Sequence, residues 1–394
     1  MKHAKDIFKQ HQAQTFAHPS CLEIKAAKKN YIIDVNENKY LDFTAGVSAC
    51  TLGHSNPIIT NAIKEQLDKY THVMVYGEYI QSPQYQLAKL LAENLPKNLS
   101  TTYFTNSGTE AIEGAIKLAK RATKRSEIIS CKNSYHGSTQ GSLSIMGNEE
   151  YKYAYRPLIS YCNQIIYNDV NSLKKITDKT AAVVIEPVQG ASGFITPKEN
   201  FLEKVRERCT QTDTILIFDE IQTCYGRLGK LFGIQKYGVN PDILCLAKGM
   251  GAGMPIGAFI GSWKLMNLLS FQPKLGHITT FGGHPINCAA SLACLKHLLN
   301  SNVMEKIILK EKLFKQHLVH PKIKQIRGVG LMLALEFNDE SLAKKVVEES
   351  MQNGLLLFYF LFTKTAIRIT PPLTISNKEI IKGCKIIKKI LNEV

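Results

Sequence analysis

Between residues 101 and 247, short apolar runs alternate with amphipathic stretches, and this alternation restricts the fold more than any other feature of the chain. "TTYFTNSG" leads into "TEAIEGAIKLAKRATK", and "SEIISCKN" follows. Then come "AAVVIEPVQG", "NFLEKVRERCTQT", "TILIFDEIQ" and "DILCLAKG". Strands buried on both faces read as continuous apolar runs, and they occur where helices cover both sides of a parallel sheet. The expected fold is therefore α/β, with a mostly parallel central sheet flanked by helices. After "TTFGGHP" the pattern turns helical in "INCAASLACLKHLLN", and a strand–helix mixture resumes near "IKQIRGVGLMLALEF". These features divide the chain into an N-terminal segment (1–52), a large domain (53–290) and a smaller C-terminal α+β domain (291–394). The opening segment, with the turn-forming "NEN" inside "YIIDVNENKYLDF", is expected to pack with the small domain.

Composition removes several function classes. A chain of 394 residues with 44% hydrophobic and 21% charged residues is ordinary for a globular protein. The longest apolar candidate, "GLLLFYFLF", is far short of the ~18 residues of a membrane span. The opening "MKHAKDIFKQHQAQ" lacks the apolar core of an export signal, so a cytoplasmic protein with no membrane partner is expected. Its ten cysteines are scattered, with no C-x-x-C pair and no Cys/His cluster, so neither disulfides nor a metal are expected. The net charge of +16 raises the question of nucleic acid. Only eight of the 49 basic residues are arginine, leaving 49 − 8 = 41 lysines spread along the chain. Nucleic-acid readers lean on Arg for bidentate contacts, so a lysine-coated surface without dense blocks argues against such a partner.

In open α/β sheets, ligands sit at the carboxyl ends of the strands. The residues there are Asn106 to Glu110, Tyr135 and His136, Glu186 to Gly190, Asp219 to Gln222, and Lys248. Ser107 and Glu110 form an S-x-x-E capping box, marking a helix start with free amides that favour an anion. Gly108 there lets backbone approach a ligand closely. "ILIFDE" resembles the acidic end of a nucleotide hydrolase's metal-binding strand, but no G-x-x-x-x-G-K-[ST] loop accompanies it. "GMGAGMPIG" does not fit G-x-G-x-x-G either. Pyridoxal 5′-phosphate uses the same parts differently. It needs a lysine for its aldehyde, a carboxylate for its ring nitrogen, an anion site for its phosphate and an aromatic ring to stack upon. Lys248, Asp219, the Ser107–Thr109 helix start and Tyr135 supply all four.

The motifs "NSGTEAIEGAIKLAKR", "YHGS", "IEPVQG", "FDEIQTCYGRLGKLFG", "PDILCLAKGMGAGMPIGAF" and "TTFGGHP" stand in order along the chain. From about Leu41 to Thr374 the sequence resembles the class III (ω-amino-acid) aminotransferases, a family that includes acetylornithine, ornithine, 4-aminobutyrate and putrescine aminotransferases. The resemblance implies a fold-type I pyridoxal-phosphate enzyme, a homodimer with active sites at the subunit interface. It makes Lys248 the lysine bonded to the cofactor and Asp219 the partner of the ring nitrogen. It sets Tyr135 against the ring, Gln222 on the phenolic-oxygen side, and Glu186 beside Asp219 and Gln222. Ser107, Gly108 and Thr109 are expected to hold the phosphate, helped by Thr280 from the neighbouring subunit. His136, next to Tyr135, belongs either to the cofactor site or to its support.

Departures from the family pattern fall on substrate recognition. Many members have arginine where this chain has Ser138, and glutamate where it has Ala191. In several members that glutamate pairs with a C-terminal arginine, which remains here as Arg368 in "TAIRITPPLTIS". Arg368 is expected to bind a substrate carboxylate, and Arg156 is a candidate replacement for the arginine missing at Ser138. The implied activity moves an amino group from an ω-amine donor, N-acetylornithine or ornithine, to 2-oxoglutarate in a two-step ping-pong reaction. The alternative is a putrescine, other diamine or other ω-amino-acid donor, since putrescine enzymes resemble the chain in "PDILCLAK" and in the pattern IRI-x-PPLT. A more remote alternative is a non-catalytic cofactor-binding protein of the same fold.

Overall fold

The computed structural model describes residues 4–393. Near the N-terminus, β1 (Ile24–Lys28), β2 (Tyr31–Asp34) and β3 (Lys39–Asp42) form an antiparallel meander. The "NEN" turn between β2 and β3 is held by Asp34, whose Oδ1 accepts from the amides of Asn36 (2.9 Å) and Asn38 (2.8 Å).

The middle of the chain builds a seven-stranded sheet from β4 (Thr101–Thr105), β5 (Glu127–Cys131), β6 (Cys162–Ile165), β7 (Thr180–Ile185), β8 (Ile215–Asp219), β9 (Ile243–Leu246) and β10 (Gly257–Gly261). Their spatial order is β4-β10-β9-β8-β7-β5-β6. The expected parallel pairing holds for β5 with β6 and β7, for β7 with β8, and for β8 with β9. Only β10 runs against its neighbours, β4 and β9. The connection from β9 to β10 explains this: Ala247 to Ile256 is too short for the helical crossover that a parallel return requires. The other six strands therefore end at one edge, where the candidate residues gather. Every residue of β7, β9 and β10 is buried, as their apolar composition demands. Helix Gly108–Thr123 covers the sheet with Ala111, Ile112, Ala115, Ile116, Leu118 and Ala119. Gly114 on that face is obligatory, because a Cβ there would lie 2.3 Å from the ring of Phe259.

Beyond residue 320, β11 (Gln325–Val329), β12 (Met332–Glu336), β13 (Leu355–Leu356), β14 (Phe358–Tyr359) and β15 (Ala366–Ile369) follow. Four of them form an antiparallel sheet in the order β11-β12-β15-β14, while β13 pairs parallel with β3 and extends the N-terminal meander. The final helix, Asn377–Glu393, packs Gly383 against the Phe43 ring, and Asn30 Nδ2 donates to its Glu379 (2.9 Å). The boundary expected at residue 290 falls inside helix Pro285–Leu299, which packs against helices Pro57–Leu67 and Ser82–Glu93. Among the described residues, no helix is long and apolar enough to cross a membrane.

Candidate active site

Strand β8 delivers two adjacent carboxylates with different surroundings. The Oδ2 of Asp219 accepts from Nδ1 of His136 at 2.7 Å, and its Oδ1 accepts from the amide of Ile221 at 3.0 Å. Glu220 points the other way, accepting from the amides of Gly233 and Ile234 and from the hydroxyl of Thr223. Burial pushes Glu220 up to about 7, and its task is to satisfy the start of helix Gly233–Tyr237.

His136 is wholly enclosed, and its position clarifies what the sequence left open: it supports Asp219. Burial disfavours its charged form, but the hydrogen bond to Asp219 and the charges of Asp219 and Glu186 prevail and raise it. Its Nε2 is buried without a hydrogen-bond partner. Glu186, at the end of β7, accepts from the amides of Gly190 (2.8 Å) and Tyr135 (3.3 Å), and burial raises it to about 7. A Cβ on Gly190 would lie 2.5 Å from Oε1 of Gln222 and 3.1 Å from Oε1 of Glu186, so both side chains close on the same glycine.

Lys248 follows β9 at φ 42°, a left-handed conformation that a non-glycine residue holds at a cost of about 1–3 kcal/mol. Burial lowers its ammonium, Arg368 adds to the effect, and Asp219 and Glu186 oppose it. Its Nζ has no hydrogen-bond or ion-pair partner among the described residues. The glycines that follow bring backbone into contact: a Cβ on Gly257 would sit 2.3 Å from the carbonyl oxygen of Ser107. Gly257 thus joins the strand after the Lys248 loop to the helix start, and Gly249 lies against Thr51.

At that helix start, Ser107 Oγ accepts from the amide of Glu110 at 3.3 Å. The return half of the expected capping box is displaced by one residue: Glu110 accepts from the amide of Asn106 (2.6 Å) and from its Nδ2 (3.0 Å). The amides of Gly108 and Thr109 have no acceptor among the described residues, leaving two donors for an anion. The hydroxyl of Thr109 is already engaged by Thr139 (2.6 Å) and Ser142 (2.7 Å). Gly108 is also crowded from the other side, since a Cβ there would meet Ile221 at 2.7 Å.

The remaining predicted residues are less uniformly gathered. Tyr135 hydrogen-bonds Ser138 through its hydroxyl at 3.1 Å. Thr280 is exposed and makes no side-chain hydrogen bond among the described residues, whereas Thr279 accepts from Asn106 at 2.9 Å. Arg156 does not replace the missing arginine; it is bound to Glu149 through Nε (2.8 Å) and Nη2 (2.6 Å) at the surface. Arg368, on β15, is buried, with its charge close enough to depress Lys248.

Sequence reasoning missed Ser48, whose Oγ accepts from Nε2 of Gln222 at 3.2 Å. Ser48 ends a left-handed turn in which Ala45, Gly46, Val47 and Ser48 have φ of 48°, 58°, 59° and 71°. Only glycine enters this region freely, and one glycine among four residues is too weak a signal to find the turn. Asp42 anchors it by accepting from the amides of Thr44 (2.7 Å) and Ala45 (3.0 Å).

A partnerless amine, a carboxylate fixed by a buried histidine and two free helix-start amides form a donor set suited to pyridoxal phosphate. Comparisons with known proteins agree. The family model for Aminotransferase class-III matches residues 13–391. The acetylornithine aminotransferase of Clostridium acetobutylicum is 37% identical over 371 residues, covering 91% of this chain and 93% of its own. The putrescine aminotransferase of Pectobacterium atrosepticum is 35% identical over 391 residues, covering 95% and 83%. Among solved structures, the ornithine aminotransferase of Toxoplasma gondii superposes with a TM-score of 0.92 at 30% identity, covering 100% of this chain and 96% of that one.

Proposed function

The chain belongs to the class III aminotransferases and is a pyridoxal-phosphate-dependent transaminase, and from that premise we propose that it moves an amino group from N-acetylornithine or ornithine to 2-oxoglutarate in two successive half-reactions. The observation that carries the choice of substrates is Arg368, a buried guanidinium near Lys248 that no carboxylate pairs with among the described residues. A carboxylate-bearing substrate supplies that missing charge. The similarity to an acetylornithine enzyme supports the donor.

Pyridoxal phosphate, once bound, supplies an aldehyde that carries the migrating amino group and a ring that accepts electrons. The Nζ of Lys248 would hold the cofactor and, when the donor frees it, would be placed to take the proton from the donor's amine-bearing carbon. Asp219 keeps a proton on the ring nitrogen, and His136 fixes the orientation of its carboxylate. Tyr135 would lie against the ring, Gln222, anchored on Ser48, would serve the phenolic-oxygen side, and Glu186 would shape the wall between them. Ser107 and the amides of Gly108 and Thr109 bind the phosphate dianion, with Thr280 of the partner subunit completing the site.

That partner is a second copy of the chain. Two stretches carry exposed apolar side chains, Val73, Met74, Tyr79 and Ile80 (93% exposed) on one, and Phe271, Leu275, Ile278 and Phe281 on the other. The rings of His72 and Phe281 lie 4.9 Å apart, so the stretches adjoin and form one patch of the kind that monomers rarely expose. Sedimentation at micromolar concentration should give twice the chain mass; a monomer would remove Thr280 from the site.

A stopped-flow panel of amines against the cofactor-loaded protein, then of oxo acids, would identify both substrates. In that panel Arg368→Ala should weaken 2-oxoglutarate by about 10- to 100-fold, the worth of a charge-assisted pair, and leave a carboxylate-free amine within about twofold. Equal losses for both would sink the assignment. The second reading, a diamine donor, has one observation in its favour: Ser138, exposed and bonded only to Tyr135, presents no cation to a donor's far end. Faster reaction with putrescine than with N-acetylornithine would establish it.

A further inference from the structure

The surroundings of Arg368 show how its buried charge is held. The guanidinium carbon of Arg368 lies 4.9 Å from the centroid of the Phe360 ring, and its Nε donates to the carbonyl oxygen of Tyr359 at 2.9 Å. Neither terminal nitrogen has a hydrogen-bond acceptor among the described residues, and Arg368 makes no ion pair. Yet the side chain is only 6% exposed, and burial holds its guanidinium down to about 10. Phe360 is itself 5% exposed and stands edge-on to Phe194 at 4.7 Å. Phe194 belongs to the loop that carries Ala191, and that loop is tied down along its length, by the Gln189–Ile195 backbone pair, by Ser192 Oγ donating to the carbonyl of Asn133, and by two further bonds. The carbonyl of Ala191 accepts from the amide of Phe362 (3.1 Å), and that of Gly193 accepts from Nε of Arg327 (3.0 Å). The ring is therefore fixed in place before any substrate arrives.

A carboxylate and a ring hold a guanidinium in different ways. A carboxylate occupies the forked N–H donors, so a substrate must displace it before it can bind. A ring attracts the cation through its quadrupole, supplies no counter-charge, and leaves both terminal nitrogens open here. We propose that Phe360 is a specificity-determining residue of this transaminase, holding Arg368 as a permanently open carboxylate receptor, so that donor and acceptor alike present a carboxylate to it. The proposal rests on the reading above that Arg368 faces the substrate. It adds that no release step precedes binding, and that a dicationic amine, bringing like charge to an uncompensated guanidinium, is a poor donor.

The test uses the holoenzyme and glutarate, a dicarboxylate that cannot react, as a competitive inhibitor of the amine half-reaction. Phe360→Leu should raise the glutarate inhibition constant about three- to tenfold, as loss of a desolvated cation–π contact predicts. Phe360→Tyr should restore it to within about twofold, and the rate with a carboxylate-free amine should stay within about twofold in both variants. Arg368→Ala should relieve inhibition further than either. If Arg368→Ala weakens glutarate and Phe360→Leu does not, the role of Phe360 falls while that of Arg368 stands. If neither variant changes glutarate binding, the reading of Arg368 falls as well. Should Phe360→Leu slow the carboxylate-free amine as much as it weakens glutarate, the ring is only structural and the proposal is overturned. A wild-type enzyme that prefers putrescine to every carboxylate-bearing donor would overturn the substrate class.

Discussion

Lys248→Ala should lower the rate of the amine half-reaction by about 10³- to 10⁴-fold, the scale of losing both a positioned base and a covalent attachment. The prediction follows from the isolation of this amine: it stands at the end of a buried strand, without an ion-pair partner, in a conformation that carries backbone strain. Borohydride reduction of the wild-type holoenzyme followed by peptide mass spectrometry should leave the cofactor mass on the peptide containing Lys248. The variant should carry none, although it should still bind cofactor through the Ser107 helix start and Asp219. Lys248→Arg should fail equally, because a guanidinium stays protonated and cannot take a proton. An alanine variant that retains a tenth of the wild-type rate would exclude Lys248 from the chemistry.

Asp219→Asn should cost about 10²–10³ in turnover with little loss of fold, the amount associated with removing one preorganised electrostatic contact. The amide can still accept from Ile221, so the strand end keeps its local geometry. What disappears is the charge that holds a proton on the ring nitrogen, together with the charge that raises His136. Two readouts separate these roles. Turnover reports the first, and the imidazole titration of His136, followed by NMR, should move down in the variant because burial then acts unopposed. An Asp219→Asn enzyme within about tenfold of wild type would mean that the ring nitrogen needs no anionic partner here. An unchanged His136 titration would mean that Glu186, and not Asp219, sets its charge.

Much of this arrangement was legible before any coordinates. Strands buried on both faces have to be apolar throughout, so "AAVVI", "ILIF" and "ILCL" identify themselves, and the residues just beyond them mark the ligand edge. Lys248, Asp219 and the Ser107 helix start were found in this way, since each closes an apolar run. The reversed direction of β10 is a finding of the structure, and its physical cause is the short link from β9. Roles set by neighbours distant in sequence were not readable. Ser48 meets Gln222 across 174 positions, and Arg156, a plausible substitute on paper, is held at the surface by Glu149. Gly108 shows the same difficulty in a milder form, as its crowding against the distant Ile221 cannot be read from its neighbours in sequence.

The amino-acid sequence by itself determined the strand cores, the helix start and the chemical kinds gathered at one edge of the sheet, because apolar patterning and capping act over a few neighbouring residues. Tertiary structure alone decided what each polar group faces: His136 against Asp219, Phe360 against Arg368, and, among the described residues, no acid paired with that arginine. The physical reason is that the behaviour of a buried charge depends on which groups, distant along the chain, the fold brings within a few ångströms of it.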